Sequence, residues 1–191
     1  MRMPMKSRRK LMLFSHLLLV SLITLTVTFD AQATIMRYLE VEDLTRLSSD
    51  VFQGYVLSSH TYWNDEHTKI YTEVRFQVKA AFKGGVAAGQ TVTITQLGGE
   101  KDGVMLDFAG RPEFKDGEES ILFTTRGKKS DFVVMGMKQG KMRVDGNEVV
   151  RDLSGITLVE RESTGNSLQT VQPKRTRFAL DELRHRISIT R

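Results

Sequence analysis

The chain has 191 residues, no cysteine, 28 basic and 23 acidic residues, and a hydrophobic content of 40%. Without cysteine there is no disulfide framework, no thiolate metal site and no cysteine nucleophile, so the fold must stand on its apolar core. The net charge of +5 invites a nucleic-acid partner only until the charges are placed: five bases and one acid lie in residues 1–33, leaving 23 bases against 22 acids in 34–191.

Residues 1–33 read as an export signal. Arg2, Lys6, Arg8, Arg9 and Lys10 form a basic start, Leu11 to Phe29 is apolar, and Ala31-Gln32-Ala33 supplies the small-x-small pattern of a cleavage site. The apolar run is also just long enough to span a bilayer, but the site directly behind it favours cleavage after Ala33. The product would be a periplasmic or secreted protein starting at Thr34, with no stable membrane anchor. The missing cysteine also removes a lipid-modified one.

Tyr38 to Ser49 is expected to be a short amphipathic helix, with Val41, Leu44 and Leu47 on one face and acids toward its start. Asp50 to Ser59 reads as a strand, and Gly54 in its middle marks a bulge or a close backbone crossing. His60 to Lys69 reads as a polar hairpin loop carrying the only Trp and two histidines. Ile70 to Gly85 is the longest period-two stretch. Ile70, Thr72, Val74, Phe76, Val78, Ala80 and Phe82 share one face, and Tyr71, Glu73, Arg75, Gln77, Lys79 and Lys83 lie on the other. At about 3.3 Å per residue such a strand is too long for a compact domain unless it bends, which points to a small barrel or sandwich.

Gln90 to Leu97 alternates again, with threonines outward. Gly98 to Gly117 is irregular, and its Val104, Met105, Leu106 and Phe108 are expected to fold back over the barrel. Ser120 to Thr125 and Asp131 to Met137 are nearly continuous apolar runs, the pattern of strands buried on both faces. Asp145-Gly146-Asn147 sits between two short strands as a hairpin turn. Glu160 to Pro173 reads as a polar linker, and Arg177 to Ile187 as a terminal helix burying Leu180, Leu183 and Ile187. Residues 172–191 carry six bases and two acids, against a net −3 for 34–171, so the positive charge gathers in the tail. The expected organisation is a signal (1–33), a β-barrel domain with an N-terminal helix (34–159), and a linker with a basic helix (160–191).

Phe52-Gln53-Gly54-Tyr55-Val56, then the long strand ending in Lys83-Gly84, then Thr91-Val92-Thr93-Ile94-Thr95-Gln96-Leu97-Gly98-Gly99, then Phe114-Lys115-Asp116-Gly117-Glu118-Glu119-Ser120-Ile121-Leu122-Phe123 follow one another in the order and spacing of the netrin-like module. This stretch, about Asp50 to Thr125, resembles the OB-type barrel of the tissue inhibitors of metalloproteinases and a group of uncharacterised bacterial exported proteins. The resemblance implies a mainly β, small antiparallel OB-like barrel and a protease-inhibitor-like role. That family's inhibitors chelate zinc through a processed N-terminal cysteine, where this chain has Thr34.

The densest chemistry lies in the loop before the long strand. His60, Asp65, Glu66 and His67 are metal-ligand types, but they match no metal-binding spacing, and no nucleophile elbow or phosphate loop occurs. No catalytic residue, metal or cofactor is expected. Tyr62, Trp63, Asp65, Glu66 and His67 are the expected contact residues for a protein partner, with an exposed Trp as a natural hot spot. The alternatives are an oligosaccharide-binding barrel and a hydrolase whose site has no signature. Nucleic acid is disfavoured by the net negative barrel.

Overall fold

A computed structural model describes residues 34–128, 131–161, 167–173 and 176–191. The export signal expected at 1–33 lies outside the described residues, as do 162–166 of the expected linker and Lys174 and Arg175 of the basic tail. The elements are β1 (Thr34–Arg37), α1 (Val41–Leu47), β2 (Asp50–Trp63), β3 (Ile70–Lys83), β4 (Thr91–Leu97), β5 (Gly99–Lys101), β6 (Val104–Leu106) and β7 (Glu119–Arg126). Then come β8 (Phe132–Val134), a 3-10 turn (Met137–Gly140), β9 (Lys141–Asp145), β10 (Glu148–Val150), β11 (Ile156–Arg161), β12 (Leu168–Thr170), β13 (Arg177–Ala179) and α2 (Leu180–Thr190).

Five strands close into a barrel in the ring order β2-β3-β4-β8-β7. The ring is antiparallel except where β4 meets β8, a parallel contact at Ile94 and Phe132. The strand pattern left a small barrel or a sandwich open; the closed barrel is the one found, as the resemblance implied. Its interior holds Phe52, Val56, Val74, Phe76, Val78, Val92, Ile94, Leu122, Phe132 and Val134, and Phe114 packs in from the irregular stretch. The inward face of β3 from Ile70 to Val78 is the predicted one.

The first of the two apolar runs carries a second core, whereas the second, expected to be buried on both faces over 131–137, forms only Phe132–Val134 with Val133 exposed. Along β7, Leu122 faces the barrel while Ile121 and Phe123 face a cluster built with Val41 and Leu44 of α1 and Leu180, Leu183 and Ile187 of α2. The run at Ser120 to Thr125 is therefore buried on both sides, as its continuous apolarity predicted. One edge of β7 is shared, its first half pairing with β9 and its second with β8, so the sheet continues through β10 to β13 while the barrel closes. A bidentate pair at 2.8 Å from Arg186 to Glu42 ties the two helices together. A third, smaller sheet, β1-β11-β12, packs Tyr38, Leu153 and Leu158 beneath it.

Several boundaries differ from the sequence reading. The first helix begins only at Val41, because Tyr38 N–H is bonded to Val159 O and Leu39 N–H to the Gln139 side chain. The strand expected to stop at Ser59 runs on to Trp63, since every residue from Ser59 to Trp63 finds a cross-strand partner on β3. This shortens the loop to 64–69. The expected linker contributes β12, paired with β11, and Arg177 to Ala179 is a strand rather than the first turn of the helix. Val104 and Met105 stay exposed in the β5–β6 hairpin, and it is Phe114 that covers the barrel. Phe82 leaves the barrel for the helix-side core, because β2 is bulged at Val51/Phe52 and Gln53/Gly54 opposite the end of β3.

Candidate functional site

The outer face of β3 and β4 forms the floor of an open groove of about 940 Å³. Registration sets Glu73 opposite Thr95, Arg75 opposite Thr93 and Gln77 opposite Thr91, so the polar side of the long strand lies beside a row of threonines. One end is walled by the loop 64–69 and Tyr62, the other side by Arg126, Lys128, Asp131 and Phe132. Acids and bases nearly balance in the lining: Asp65, Glu66, Glu73 and Asp131 against Lys69, Arg126 and Lys128.

Three aromatic rings neighbour one another in series at the loop end. His60 and Tyr62 are two apart on β2 and stack at 6.2 Å and 9° between planes. Tyr62 and Tyr71 are cross-strand partners and stack at 6.1 Å and 26°. The Tyr62 hydroxyl donates to Glu73 Oε1 at 3.1 Å. Burial first, and then this carboxylate, push the Tyr62 phenol up to about 12, so it stays a neutral donor at any physiological pH.

The other wall depends on one ion pair. Asp50 is buried, and its carboxylate accepts from Arg126 Nε (3.0 Å) and Nη2 (2.9 Å), from the Ser49 hydroxyl (2.7 Å) and from Gly85 N–H (3.0 Å). Arg126 lies over the Phe132 ring at 4.4 Å, so its guanidinium is fixed along the groove. Burial alone would raise the Asp50 carboxyl, but the bonds from Arg126, Ser49 and Gly85 outweigh it and hold it below its ordinary 3.8. A carboxyl depressed on folding adds stability that is complete above its unfolded pKa and vanishes as pH falls through the folded one. Asp50→Ala should therefore cost about 2–3 kcal/mol at pH 7, part of the partner's charge staying solvated on half-exposed Arg126. Urea midpoints at pH 7, 4 and 2.5 should converge for the two proteins as the acid limb is reached.

Of the five predicted contact residues, Tyr62, Asp65 and Glu66 line the groove. Trp63 lies on the opposite side of β2, where its Nε1–H donates to Asp102 Oδ2 at 3.0 Å and its ring stacks on His67 at 6.1 Å. Trp63 is half-buried rather than free. His60 and His67 thus stack on different aromatic partners on different sides of the hairpin, and among the described residues no group of three or more His, Asp or Glu is placed to hold a metal ion. The sequence reading passed over Tyr71, Glu73, the threonine row and the β7–β8 turn. The signals for them were the tyrosine and the glutamate on the wet side of the long strand and the outward threonines of the next.

No protein-family model and no curated protein matches the chain.

Proposed function

We propose that this protein is an exported, non-catalytic binding module, and that its ligand is an oligosaccharide lying in the groove over β3 and β4. The observation that carries the reading is the groove itself: the Tyr62–Tyr71 ring pair next to a row of threonine hydroxyls and the Glu73 and Asp131 carboxylates. Stacked rings take the apolar face of a sugar, and hydroxyls with carboxylates take its hydroxyl groups. In OB-type barrels the corresponding strands and the two flanking loops are where oligosaccharides and oligonucleotides bind. The near balance of charge supports a sugar over a nucleic-acid strand, which requires a basic track. Export is supported by the leader-like residues 1–33. The resemblance to netrin-like modules bears on architecture alone. A zinc-chelating inhibitor role has no support in a chain without cysteine.

Glycan-array screening of the mature protein, followed by calorimetry on the best binder, tests this reading. Tyr71→Ala should weaken binding roughly tenfold, the scale of one lost stacking contact, with the urea midpoint nearly unchanged. A second reading, a protein partner docking on the hairpin end, draws on the exposure of Asp65, Glu66 and His67 at its tip. It would take precedence if no glycan bound and Trp63→Ala abolished capture of a specific envelope or secreted protein.

A further inference from the structure

Beyond the barrel, the strands β9, β10 and β13 bury one face, with Met142, Val144, Val149 and Phe178 in the helix-side core. Their other face is basic. Arg143, Val150 and Arg177 stand level on these three strands, because Arg143 registers with Val150 and Val150 with Arg177. Lys141 shares the Arg143 side of β9, and Lys138 comes from the 3-10 turn just before it. Together with Arg111 and Lys115 of the irregular stretch they line a cavity of about 410 Å³.

Seven bases and three acids line it, whereas three bases and four acids line the groove over β3 and β4. One of the seven, Arg151, is buried and adds its charge from behind the wall. Acids do not exhaust the others. Arg111, Lys138, Arg143 and Arg177 pair with Asp107, Asp152, Asp145 and Glu148, and all four acids are more than half exposed. Such surface pairs hold weakly and exchange for a ligand of higher charge. Lys141 and Glu118 instead form a shielded pair. Arg143 uses Nη1 alone in its pair, so most of its fork is left for an anion. Val150, short and apolar, separates the two arginines, whose backbones lie two strand spacings apart, roughly 10 Å. Two long guanidinium side chains can therefore close on one anion from both sides.

We propose that this cavity binds a phosphate monoester, separate from the groove over β3 and β4. Arg143 and Arg177 grip the phosphate over Val150, Lys138 and Lys115 add charge beside it, and Arg151 contributes to the field without touching the ligand. A phosphate monoester brings close to two negative charges at pH 7 and three acceptor oxygens, which matches several donors converging on one point better than a single carboxylate does. A sugar phosphate and a phosphatidic acid headgroup present the same group, so both serve as probes.

The test is a protein-observed NMR titration at pH 7 and constant ionic strength with glucose 6-phosphate, glucose 6-sulfate and, as the neutral match, glucose. Saturable shifts at Lys138, Arg143, Val150 and Arg177 are expected with the phosphate, severalfold weaker binding with the singly charged sulfate, and no such shifts with glucose. Cosedimentation with phosphatidic acid vesicles covers the second source: vesicle binding without glucose 6-phosphate binding assigns the phosphate to a lipid. Arg143→Gln combined with Arg177→Gln should weaken either interaction at least tenfold, the scale of lost charge-assisted hydrogen bonds. Both side chains are exposed, so the double variant should fold normally; were it to unfold, Lys115→Gln at an exposed position gives a smaller, severalfold loss. Equal shifts with glucose, binding that the double variant leaves unchanged, or no saturable binding of either phosphate source would overturn the proposal.

Discussion

Arg151→Ala is expected to lower the unfolding free energy by about 3–5 kcal/mol, among the largest effects any single change can have here. Arg151 is 1% exposed: Nε donates to Gln139 O at 3.1 Å, Nη2 to Leu39 O at 2.6 Å, and the guanidinium lies 5.5 Å from the Tyr38 ring. Burial pulls its pKa below the ordinary guanidinium range. Gln139 completes the clamp, accepting from Leu39 N–H and donating to Arg37 O, both at 3.0 Å. These two side chains fasten the chain leaving β1 to the 3-10 turn and replace ladder bonds that no strand supplies. Truncation leaves two buried carbonyls unpaired and a cavity. Arg151→Met fills the space without the donors and should fall between, and Arg151→Lys should not rescue fully, because one ammonium cannot match the fork. Urea denaturation measures the series, and faster hydrogen exchange at Leu39 would localise the damage. A loss below about 1 kcal/mol would mean that water takes over both carbonyls.

Gly54→Val should cost more than about 3 kcal/mol or prevent folding. A Cβ at Gly54 would lie 2.0 Å from Gln77 O and 2.8 Å from the Phe76 ring. The first is backbone in the middle of β3, so no rotamer change relieves it. The β2–β3 register shifts at this point, just beyond Val51 and Phe52, which face the helix-side core and the barrel by the alternation of the strand. Gly85→Ala is the control: its Cβ would meet nothing nearer than 3.9 Å, and its N–H still reaches Asp50. It should change stability by less than about 0.5 kcal/mol. Equal costs for the two substitutions would remove the close crossing as the explanation.

These two positions were unequally legible in the sequence. Gly54 interrupts an otherwise apolar strand, a local irregularity that pointed to a bulge or a crossing before any pairing was known. Arg151 gave no such sign, since a lone arginine after a short strand ordinarily faces water. It is buried against Tyr38 and Leu39, which follow β1 and are remote in sequence, and against Gln139 of the 3-10 turn.

The candidate site divides in the same way. Tyr62, Asp65 and Glu66 were found because they cluster in one short stretch. Tyr71, Glu73 and the threonines were seen as the wet face of strands, but their meeting with Arg126 and Asp131 depends on β4 closing against β8 and on Asp50 turning Arg126. Trp63 looked like an exposed hot spot because the loop was drawn too long. Extending β2 by four residues assigns Trp63 to the side facing Asp102 and leaves Tyr62 on the groove.

The sequence by itself determined the β class, the inward face of β3 from Ile70 to Val78, the double burial of β7, the hairpin at Gly146 and the apolar stripe of the last helix. Each follows from side-chain periodicity or turn chemistry within a few consecutive residues. Only the tertiary structure decided that five strands close into a ring, that a second core lies between the sheet and two helices, and which polar side chains converge on the groove and the basic cavity. Those outcomes depend on pairings between distant segments, and a local pattern specifies which face a residue is on without specifying what will be opposite it.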